Sequence, residues 1–451
     1  MVVVGAARSG VAAAELLVAR GAIVTVLDLR PAVDAADRLT HRGVALELGA
    51  HRLETLAAAE LIVTSPGVPL EQPVLQAARV RGVDIIGELE LASRWIQGRV
   101  IAITGTKGKS TTATLVGRIL DAAGRRVLVG GNIGVPLSAQ VAASTPETVH
   151  VVETSSFQLE ATTTFRPWIA VWLNIAADHL DRHPTLEAYA SAKARIFANQ
   201  TREDWAVVNA DDARVVAFAA PAAARHVDFA LSGHIANGFV VDGAWIVRRT
   251  GTVIDRLCPL TAVELPGRHM QSNVLAAAAA ASIAGAAPEA ITEALRGFHG
   301  LEHVMEPVGR IGCVRFVNDS KATNVEAARR SIESFADGVV AIVGGRFKGG
   351  DLRELRAPLS DRGKAVVAVG EAAPLVRDAL ADAVPIIDAR SMREAVEVAY
   401  AAAVPDGVVL LAPACASFDW FRDYAERGQA FKEEVARLTR KTRLKDTEST
   451  K

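Results

Sequence analysis

The sequence predicts an α/β protein with three domains, each containing a mostly parallel β-sheet. Short runs of β-branched residues alternate with amphipathic helical stretches along almost the whole chain, as they do in strand–helix–strand units. The chain has 451 residues, which is more than a single hydrophobic core usually serves. The length therefore predicts two or three domains, and the strand–helix units along the chain divide into three, at residues 1–92, 93–299 and 300–451.

Composition narrows the class of protein. Hydrophobic residues make up 50% of the chain, charged residues 22%, and the formal net charge is −1, so neither nucleic acid nor an anionic membrane is an expected partner. The cysteines Cys258, Cys313 and Cys415 lack metal-ligand spacing and indicate a reducing compartment. The apolar run at 274–287 is too short to cross a bilayer and predicts a buried helix. We expect a cytoplasmic, monomeric enzyme that acts on small molecules.

The first domain begins with a turn of the kind that binds nucleotides. A strand at 2–4 leads into a turn from Gly5 to Gly10, and a helix then reaches about Arg20. The turn lacks the middle glycine of the dinucleotide fingerprint, so a nucleotide diphosphate at the helix start fits better than a nicotinamide or flavin cofactor. Another phosphate-sized turn, at 64–69, follows a second strand.

The most informative segment is an apolar strand that ends in Gly105-Thr-Lys-Gly-Lys-Ser-Thr111. Backbone N–H groups of such a turn point at phosphates, Lys109 neutralises them, and the hydroxyl of Ser110 or Thr111 can bind magnesium. The standard P-loop has a glycine where Ile103 stands, so this is a shortened form. ATP or GTP is the expected ligand, and an ordinary glycine-rich turn is the alternative.

Polar clusters follow other strands of the central domain. The loop at 130–134 exposes its backbone, and Glu153 ends a strand at the edge where ligands bind in open α/β sheets. Beside a P-loop, Glu153 is a candidate magnesium carboxylate, although an acid at this place can also serve a helix cap. The segment 174–183 carries two acids and two histidines after another strand. Because no second cluster has the spacing of a zinc site, we interpret these residues as catalytic and substrate-binding.

Three polar loops follow three strands of the last domain. They span 318–324, 344–350 and 413–419. The carboxyl ends of parallel strands share one edge of a sheet, so these loops together predict a ligand-binding face. The sequence has no nucleophile elbow and no Ser/His/Asp order, and covalent acyl-enzyme catalysis is therefore not supported.

Together these motifs resemble those of the Mur ligase family. The matching segments are 103–111, 131–134, 153–160, 178–179, 265–269, 318–323 and 413–417. The resemblance runs from residue 2 to about 431 and is closest to the members that add D-glutamate. It implies an ATP-dependent ligase that joins D-glutamate to UDP-N-acetylmuramoyl-L-alanine through an acyl phosphate, in the cytoplasmic stage of peptidoglycan synthesis. It also implies a Rossmann-like UDP-binding domain, a central P-loop ATPase-like domain and a C-terminal Rossmann-like domain for the amino acid.

The resemblance further implies a role for each matching residue. The catalytic residues would be Lys109, Glu153, His179 and Lys193. ATP would be bound by Gly105, Thr106, Lys107, Gly108, Lys109, Ser110, Thr111, Asn273, Asp319 and Lys321. The UDP-sugar would be bound by Arg8, Ser9, Asp28, Arg30, Ser65, Gly67, Asn132 and His179, and D-glutamate by Thr323, Lys348, Ser417, Phe418 and Tyr424.

Two magnesium ions are implied as well. Their ligands would be Ser110, Glu153, His179 and a carbamylated Lys193. A carbamate forms on a neutral amine, and at an ordinary pKa near 10.4 only about one lysine in a thousand is neutral at pH 7. The residues around Lys193 alone favour a solvent-exposed helix lysine, so this role comes from the resemblance.

The chain departs from the family pattern at two positions. Met270 follows a histidine where the family usually has asparagine, and Val304 follows a histidine where it usually has arginine. Loss of that arginine would weaken the binding of the ATP phosphates. One alternative is therefore a non-catalytic, nucleotide-binding regulator on the same scaffold, and a second is a sister ligase for another amino acid or for folate. An oxidoreductase is the least favoured, because the first turn lacks the middle glycine.

Overall fold

Three β-sheets flanked by helices form the framework of the protein. The structure is a computed structural model, and it describes residues 1–176, 178–179, 182–231, 235–263 and 268–448. Residues Met1–Phe298 form one compact unit, and a second unit begins at His299. The predicted α/β class with mostly parallel sheets is confirmed. Within the described ranges, no helix has the length and hydropathy needed to span a bilayer.

The first sheet contains β1 (Val2–Val4), β2 (Thr25–Asp28), β3 (Ala45–Leu48), β4 (Leu61–Thr64) and β5 (Asp84–Gly87). Its helices are α1 (Arg8–Ala19), α2 (Ala36–His41), α3 (Leu53–Ala57), α4 (Pro73–Val80) and α5 (Glu88–Ser93). The strands are all parallel, in the order β3-β2-β1-β4-β5. β1 is apolar throughout because both faces are covered: Val3 packs in the core that contains Leu17, and Val4 in the core that contains Leu75. The turns after β1, β2 and β4 therefore lie at one edge.

The central sheet contains β6 (Arg99–Thr104), β7 (Val127–Gly131), β8 (Val149–Glu153), β9 (Ile169–Trp172), β10 (Trp205–Asn209), β11 (Arg225–Ala230), β12 (Asn237–Asp242), β13 (Trp245–Thr250) and β14 (Val253–Pro259). Its helices are α6 (Lys109–Ala122), α7 (Leu137–Gln140), α8 (Ser156–Glu160), α9 (Leu186–Ala194), α10 (Ala213–Ala219), α11 (Arg268–Ile283) and α12 (Pro288–Leu295). The order is β14-β13-β12-β11-β10-β9-β6-β8-β7. The strands from β7 to β12 are parallel, and β13 and β14 continue the sheet as antiparallel strands.

The buried helix predicted at 274–287 is α11. It begins earlier than predicted, at Arg268, and ends at Ile283, two residues before Gly285, whose φ of 92° is left-handed. Ala276 to Ala281 are fully buried. Their small side chains let the helix contact α6 closely, so α11 supports the helix that follows the P-loop.

The sheet of the second unit contains β15 (Glu306–Ile311), β16 (Val314–Asn318), β17 (Val339–Gly344), β18 (Gly363–Val369), β19 (Ile386–Ala389) and β20 (Val408–Leu411). Its helices are α13 (Val325–Glu333), α14 (Arg356–Arg362), α15 (Ala373–Leu380), α16 (Met392–Ala403) and α17 (Tyr424–Glu448). The order is β15-β16-β20-β17-β18-β19, and only β15 is antiparallel to its neighbour among these pairs. Because β16, β20 and β17 are adjacent and parallel, the three polar loops that follow them share one edge of the sheet.

The residues on either side of position 92 lie within the first compact unit. The domain limits at 92 and 299 therefore stay predictions. The three sheets nevertheless correspond in number and order to the three predicted domains.

Candidate active site

The predicted P-loop lies between strand β6 and helix α6. Gly108 immediately precedes the helix and has a φ of 85°, a conformation that favours glycine. A Cβ at Gly108 would collide with the side chain of Asn273, which brings α11 into direct contact with the loop. The Nζ of Lys109 donates to the carbonyl oxygens of Gly105 and Thr106, both at 3.0 Å. The lysine amine is thus held at the start of α6, where the helix favours anions.

Asn174 binds the backbone of the same loop. Its Oδ1 accepts hydrogen bonds from the backbone N–H groups of Thr106 at 3.1 Å and Lys107 at 2.9 Å, and its Nδ2 donates to the carbonyl oxygen of Lys107 at 3.1 Å. Asn174 follows β9, the neighbour of β6 in the sheet. The first half of the loop is therefore fixed by the chain itself, and the first turn of α6 offers its N–H groups to a ligand.

Glu153 connects the P-loop with the loop after β7. Its carboxylate accepts from the hydroxyl of Ser110 at 2.6 Å and from Nδ2 of Asn132 at 2.7 Å. The residue is only 2% exposed. Since β8 lies between β6 and β7, the end of β8 is the place from which one acid can reach both loops.

The donor set at this place fits magnesium. A hydroxyl and a carboxylate are hard oxygen ligands of the kind that Mg²⁺ takes together with phosphates and water. Among the residues that the structure describes, no three His, Cys, Asp or Glu side chains cluster as a metal site.

Lys193 is buried beneath the P-loop. It is 1% exposed, its Nζ donates to the carbonyl oxygen of Gly105 at 2.9 Å, and the same atom lies 4.4 Å from the centre of the Tyr189 ring. Burial, together with the nearby charge of Lys109, lowers the pKa of Lys193 well below its usual value. The expectation of a solvent-exposed lysine is wrong, and the surroundings of the amine shift it toward the neutral form.

His179 is an exposed residue close to Tyr189, the ring that also lies against Lys193. Its backbone has a φ of 56°, its side chain is exposed, and its ring lies 4.9 Å from the Phe157 ring and 6.1 Å from the Tyr189 ring. Tyr189 thus touches both His179 and Lys193. Two parts of the predicted motifs, Asp181 and residues 265–267, lie outside the described residues.

The turns of the first sheet hold the residues assigned to the UDP-sugar. Asp28 accepts from the backbone N–H of Ala6 at 2.7 Å and from Nε and Nη2 of Arg30 at 2.9 and 2.8 Å. The hydrogen bonds and charge of Arg30 hold the pKa of Asp28 far below its usual value. The carboxylate is therefore charged and orients the Arg30 guanidinium at the end of β2.

The turns after β1 and β4 are joined by Ser65, whose buried hydroxyl donates to the carbonyl oxygen of Gly5 at 2.8 Å. Gly67 is exposed two residues later. At the start of α1, Ser9 is half-buried and Arg8 is exposed, and Arg8 donates to the carbonyl oxygen of Gly134 at 3.2 Å. Arg8 thus joins the first sheet to the loop after β7 that contains Asn132.

In the second unit, the loop after β16 contains Asp319, Lys321 and Thr323. Asp319 is buried and accepts from the backbone N–H of Met305 at 3.1 Å and from the hydroxyl of Ser331. The backbone N–H of Lys321 donates to the carbonyl oxygen of His303 at 3.1 Å, and Thr323 is half-buried. These two hydrogen bonds hold the Asp319 carboxylate in place within the second unit.

The other two loops on this edge carry the remaining residues assigned to D-glutamate. Lys348 is exposed in the loop after β17, and Ser417 is buried in the loop after β20. Phe418 is 59% exposed and Tyr424 38% exposed. The loops are tied together because Arg346 and Ala416 exchange backbone hydrogen bonds at 2.9 and 3.0 Å.

Three protein families match consecutive parts of the chain. The Mur ligase MurD-like N-terminal domain matches residues 1–87, the Mur ligase middle domain 103–281, and the Mur ligase glutamate ligase domain 305–415. A UDP-N-acetylmuramoylalanine–D-glutamate ligase of Acidobacterium capsulatum is 48% identical over 441 residues, covering 96% of this chain and 95% of the relative. The chain belongs to the Mur ligase family. A ligase of the same name from Solibacter usitatus is 45% identical and covers 96% of each chain.

Solved structures of other Mur ligases share the fold. UDP-N-acetylmuramate-alanine ligase of Thermotoga maritima aligns with a TM-score of 0.59 at 18% identity, covering 97% of this chain and 99% of that one. A pseudomurein peptide ligase type C of Methanothermus fervidus aligns with a TM-score of 0.57, also at 18% identity and with the same coverage. At this level of identity, the likeness concerns the fold alone.

Three residues of this Mur ligase that contact the predicted loops had no role assigned from the sequence. Asn174 lay inside a polar segment in which nothing distinguished it from its neighbours. Tyr189 precedes Lys193 by four residues on α9, and this helical spacing is the signal that could have revealed the pair. Arg427 lies on α17 among many charged residues, where an arginine is usually exposed.

Proposed function

We propose that this Mur ligase adds D-glutamate to UDP-N-acetylmuramoyl-L-alanine with ATP as the energy source. The observation that carries the proposal is the contact between Ser110 of the P-loop and the buried carboxylate of Glu153. A P-loop hydroxyl beside a buried acid is the pair that holds magnesium on a nucleoside triphosphate. The relatives named for this reaction cover nearly the whole chain, which supports the choice of substrates.

The reaction needs activation because a free carboxylate is a poor acyl donor. The alanyl carboxylate attacks the γ-phosphorus of ATP, ADP leaves, and an acyl phosphate forms. The neutral amine of D-glutamate then attacks the acyl carbon, inorganic phosphate leaves, and the nitrogen loses a proton as the amide forms. Such phosphoryl transfer depends on charge neutralisation and in-line positioning, with no requirement for a protein nucleophile.

The P-loop residues supply this neutralisation. Lys109 turns its amine from the loop carbonyls toward the β- and γ-phosphates, while the first N–H groups of α6 bind phosphate oxygens. Asn174 keeps Thr106 and Lys107 in place during this change. Asn273, Asp319 and Lys321 complete the proposed nucleotide-binding set together with the rest of 105–111.

The magnesium ligands would be Ser110, Glu153, His179 and carbamylated Lys193. When bound, magnesium neutralises the phosphate charge that builds up during transfer. Burial of Lys193 supports its carbamylation, since a lowered pKa increases the share of neutral amine, the form that takes up CO₂. His179 would also orient the alanyl carboxylate. The number of two ions is part of this proposal.

The substrates would be held by the loops at the edges of the first and third sheets. The UDP-sugar would bind Arg8, Ser9, Asp28, Arg30, Ser65, Gly67, Asn132 and His179. Lys348 would pair with a carboxylate of D-glutamate, while Thr323 and Ser417 donate hydrogen bonds to it and Phe418 and Tyr424 form walls. We also propose a cytoplasmic, monomeric enzyme without a nucleic-acid or membrane partner.

Phosphate release from ATP tests the function directly. We expect release only when UDP-N-acetylmuramoyl-L-alanine and D-glutamate are both present. Equal release with L-glutamate or meso-diaminopimelate in place of D-glutamate would contradict the substrate assignment. Absence of release with every amino acid would support the non-catalytic regulator instead.

A further inference from the structure

Arg427 is a buried arginine whose hydrogen-bond acceptors carry no charge. It is 3% exposed and lies in the first turn of α17. Its Nε donates to the hydroxyl of Ser320 at 3.0 Å, its Nη2 to the carbonyl oxygen of Ser320 at 2.9 Å, and its Nη1 to the carbonyl oxygen of Cys415 at 3.1 Å. Burial lowers the pKa of Arg427 to about 10, so the side chain stays charged at neutral pH.

Burial of this charged side chain lowers the stability of the fold. A buried charge loses its hydration, and neutral acceptors return only part of that loss. An apolar side chain of similar size is often as good for stability at such a place. The cost therefore points to a use for the positive charge, because strongly perturbed ionisable groups gather at functional sites.

The position of the guanidinium supports such a use. Ser320 belongs to the loop after β16 and Cys415 to the loop after β20, while a Cβ at Gly345, in the loop after β17, would lie 3.2 Å from Nη1 of Arg427. One side chain thus forms hydrogen bonds with two of the three loops on the ligand-binding edge and lies beside the third. Those loops also carry Lys348 and Ser417.

The charge of Arg427 acts on the buried thiol of Cys415, in the loop after β20. Arg427 and Lys348 both act on the Cys415 thiol in the direction that stabilises its anion, although burial dominates and raises its pKa to about 11. Asp419 is the carboxylate near enough to act on both Arg427 and the thiol, in the opposite direction. The base of the three loops therefore carries the buried positive charge of Arg427, with the negative charge of Asp419 and the exposed positive charge of Lys348 nearby.

We propose that Arg427 is a positioning residue for the amino-acid substrate: it holds the three loops in one arrangement and gives the site a preference for dicarboxylic amino acids. This inference rests on the proposed function. A dicarboxylic amino acid brings one more negative charge than a neutral one, so a buried cation below the loops favours it without direct contact. Lys348 remains the residue assigned to contact with the substrate.

The test separates charge from hydrogen bonding. Arg427→Lys keeps the charge with fewer donors, Arg427→Met removes the charge at similar size, and Arg437→Met is the control on the same helix, since Arg437 pairs with Glu434 and Glu397 at the surface. The KM for D-glutamate, the KM for ATP, kcat and the thermal midpoint are measured for each variant.

We expect Arg427→Met to raise the KM for D-glutamate at least tenfold and the KM for ATP less than twofold. Arg427→Lys should raise the KM for D-glutamate less than threefold, and the control should leave both unchanged.

Equal effects of Arg427→Lys and Arg427→Met on the KM for D-glutamate would overturn the proposal, as would a parallel rise in both KM values. If Arg427→Met does not fold, Arg427→Gln replaces it, and Arg427→Lys alone refutes the proposal if it raises the KM for D-glutamate tenfold at an unchanged thermal midpoint. Failure of the proposed function is seen separately, because the unaltered enzyme would then show no turnover with D-glutamate.

Discussion

The side-chain amines of Lys109 and Lys193 donate to the same carbonyl oxygen, that of Gly105, at 3.0 and 2.9 Å. Two ammonium groups at one acceptor repel each other, and Lys193 is the more deeply buried of the two. Burial and the charge of Lys109 lower the pKa of Lys193. The P-loop lysine and the lysine proposed to carry CO₂ are thus coupled through the backbone of a single glycine.

Replacement of Lys193 by alanine should abolish most of the activity, with a loss of 100-fold or more, because neither a carbamate nor an amine remains beside the P-loop. Initial rates of phosphate release with saturating substrates measure this loss. Added bicarbonate should not restore the rate of the variant. Lys364→Ala, which removes a surface lysine paired with Asp406, should stay near the unaltered rate. Full activity of Lys193→Ala would refute the carbamate role.

Labelling gives an independent readout of the same modification. The unaltered enzyme incubated with ¹³C-bicarbonate should show a carbamate carbonyl signal in its NMR spectrum that Lys193→Ala lacks. A signal of equal size in both proteins would place the modification on another amine.

Glu153→Gln should lower the rate about 100-fold and raise the magnesium concentration needed for half-maximal activity. The amide loses the negative charge, and because its NH₂ group cannot accept a hydrogen bond, only one of Ser110 and Asn132, which both donate to the carboxylate, keeps its acceptor. A titration of activity with MgCl₂ at fixed ATP measures the change. Glu203→Gln is a matched control, since that side chain is 87% exposed. An unchanged magnesium dependence in Glu153→Gln would exclude Glu153 as a metal ligand.

Asn174→Ala should raise the KM for ATP about tenfold, because the N–H groups of Thr106 and Lys107 lose their shared side-chain acceptor and only Thr106 keeps another, the backbone carbonyl of Asn174, so the loop is held less firmly. Asn174→Asp keeps that acceptor but places a negative charge beside the phosphates, so it should weaken ATP binding further. Steady-state kinetics with varied ATP compare the two variants with Asn237→Ala, at the exposed first residue of β12. A smaller effect of Asn174→Asp than of Asn174→Ala would show that the site is remote from the phosphates.

The sequence alone predicted those features of the fold and site that depend on residues close together in the chain. The P-loop and the place of Glu153 at a strand end depend on segments of a few residues, and the shared edge of the loops after β16, β17 and β20 follows from the rules of parallel sheets. The order of these strands in the sheet came only from the structure. Contacts between distant segments were not predictable. The hydrogen bond from Lys193 joins residues 88 positions apart, and that from Arg427 to Ser320 joins residues 107 apart. Whether each side chain is buried depends on how its helix packs, and neither helix shows this in its own sequence.

Glu90 provides the clearest test of stability, because its carboxylate is fully buried and accepts from the backbone N–H groups of Thr163, Thr164 and Phe165 at 2.9, 3.0 and 2.9 Å. Burial alone would raise its pKa, but these bonds and the two threonine hydroxyls lower it to about 2, against an ordinary value of 4.5. A group with a lowered pKa stabilises the fold above its unfolded-state pKa, and this contribution is lost as the pH falls from about 4.5 toward 2. The difference between the two pKa values corresponds to about 3 kcal/mol.

Glu90→Gln should therefore lose about 3 kcal/mol of unfolding free energy at pH 7 in urea titrations. The difference in unfolding free energy between the variant and the unaltered protein should narrow below about pH 4.5. Glu60→Gln, at an exposed position, should show neither effect, and a gap that stays constant down to pH 3 would mean that the charge of Glu90 does not stabilise the fold.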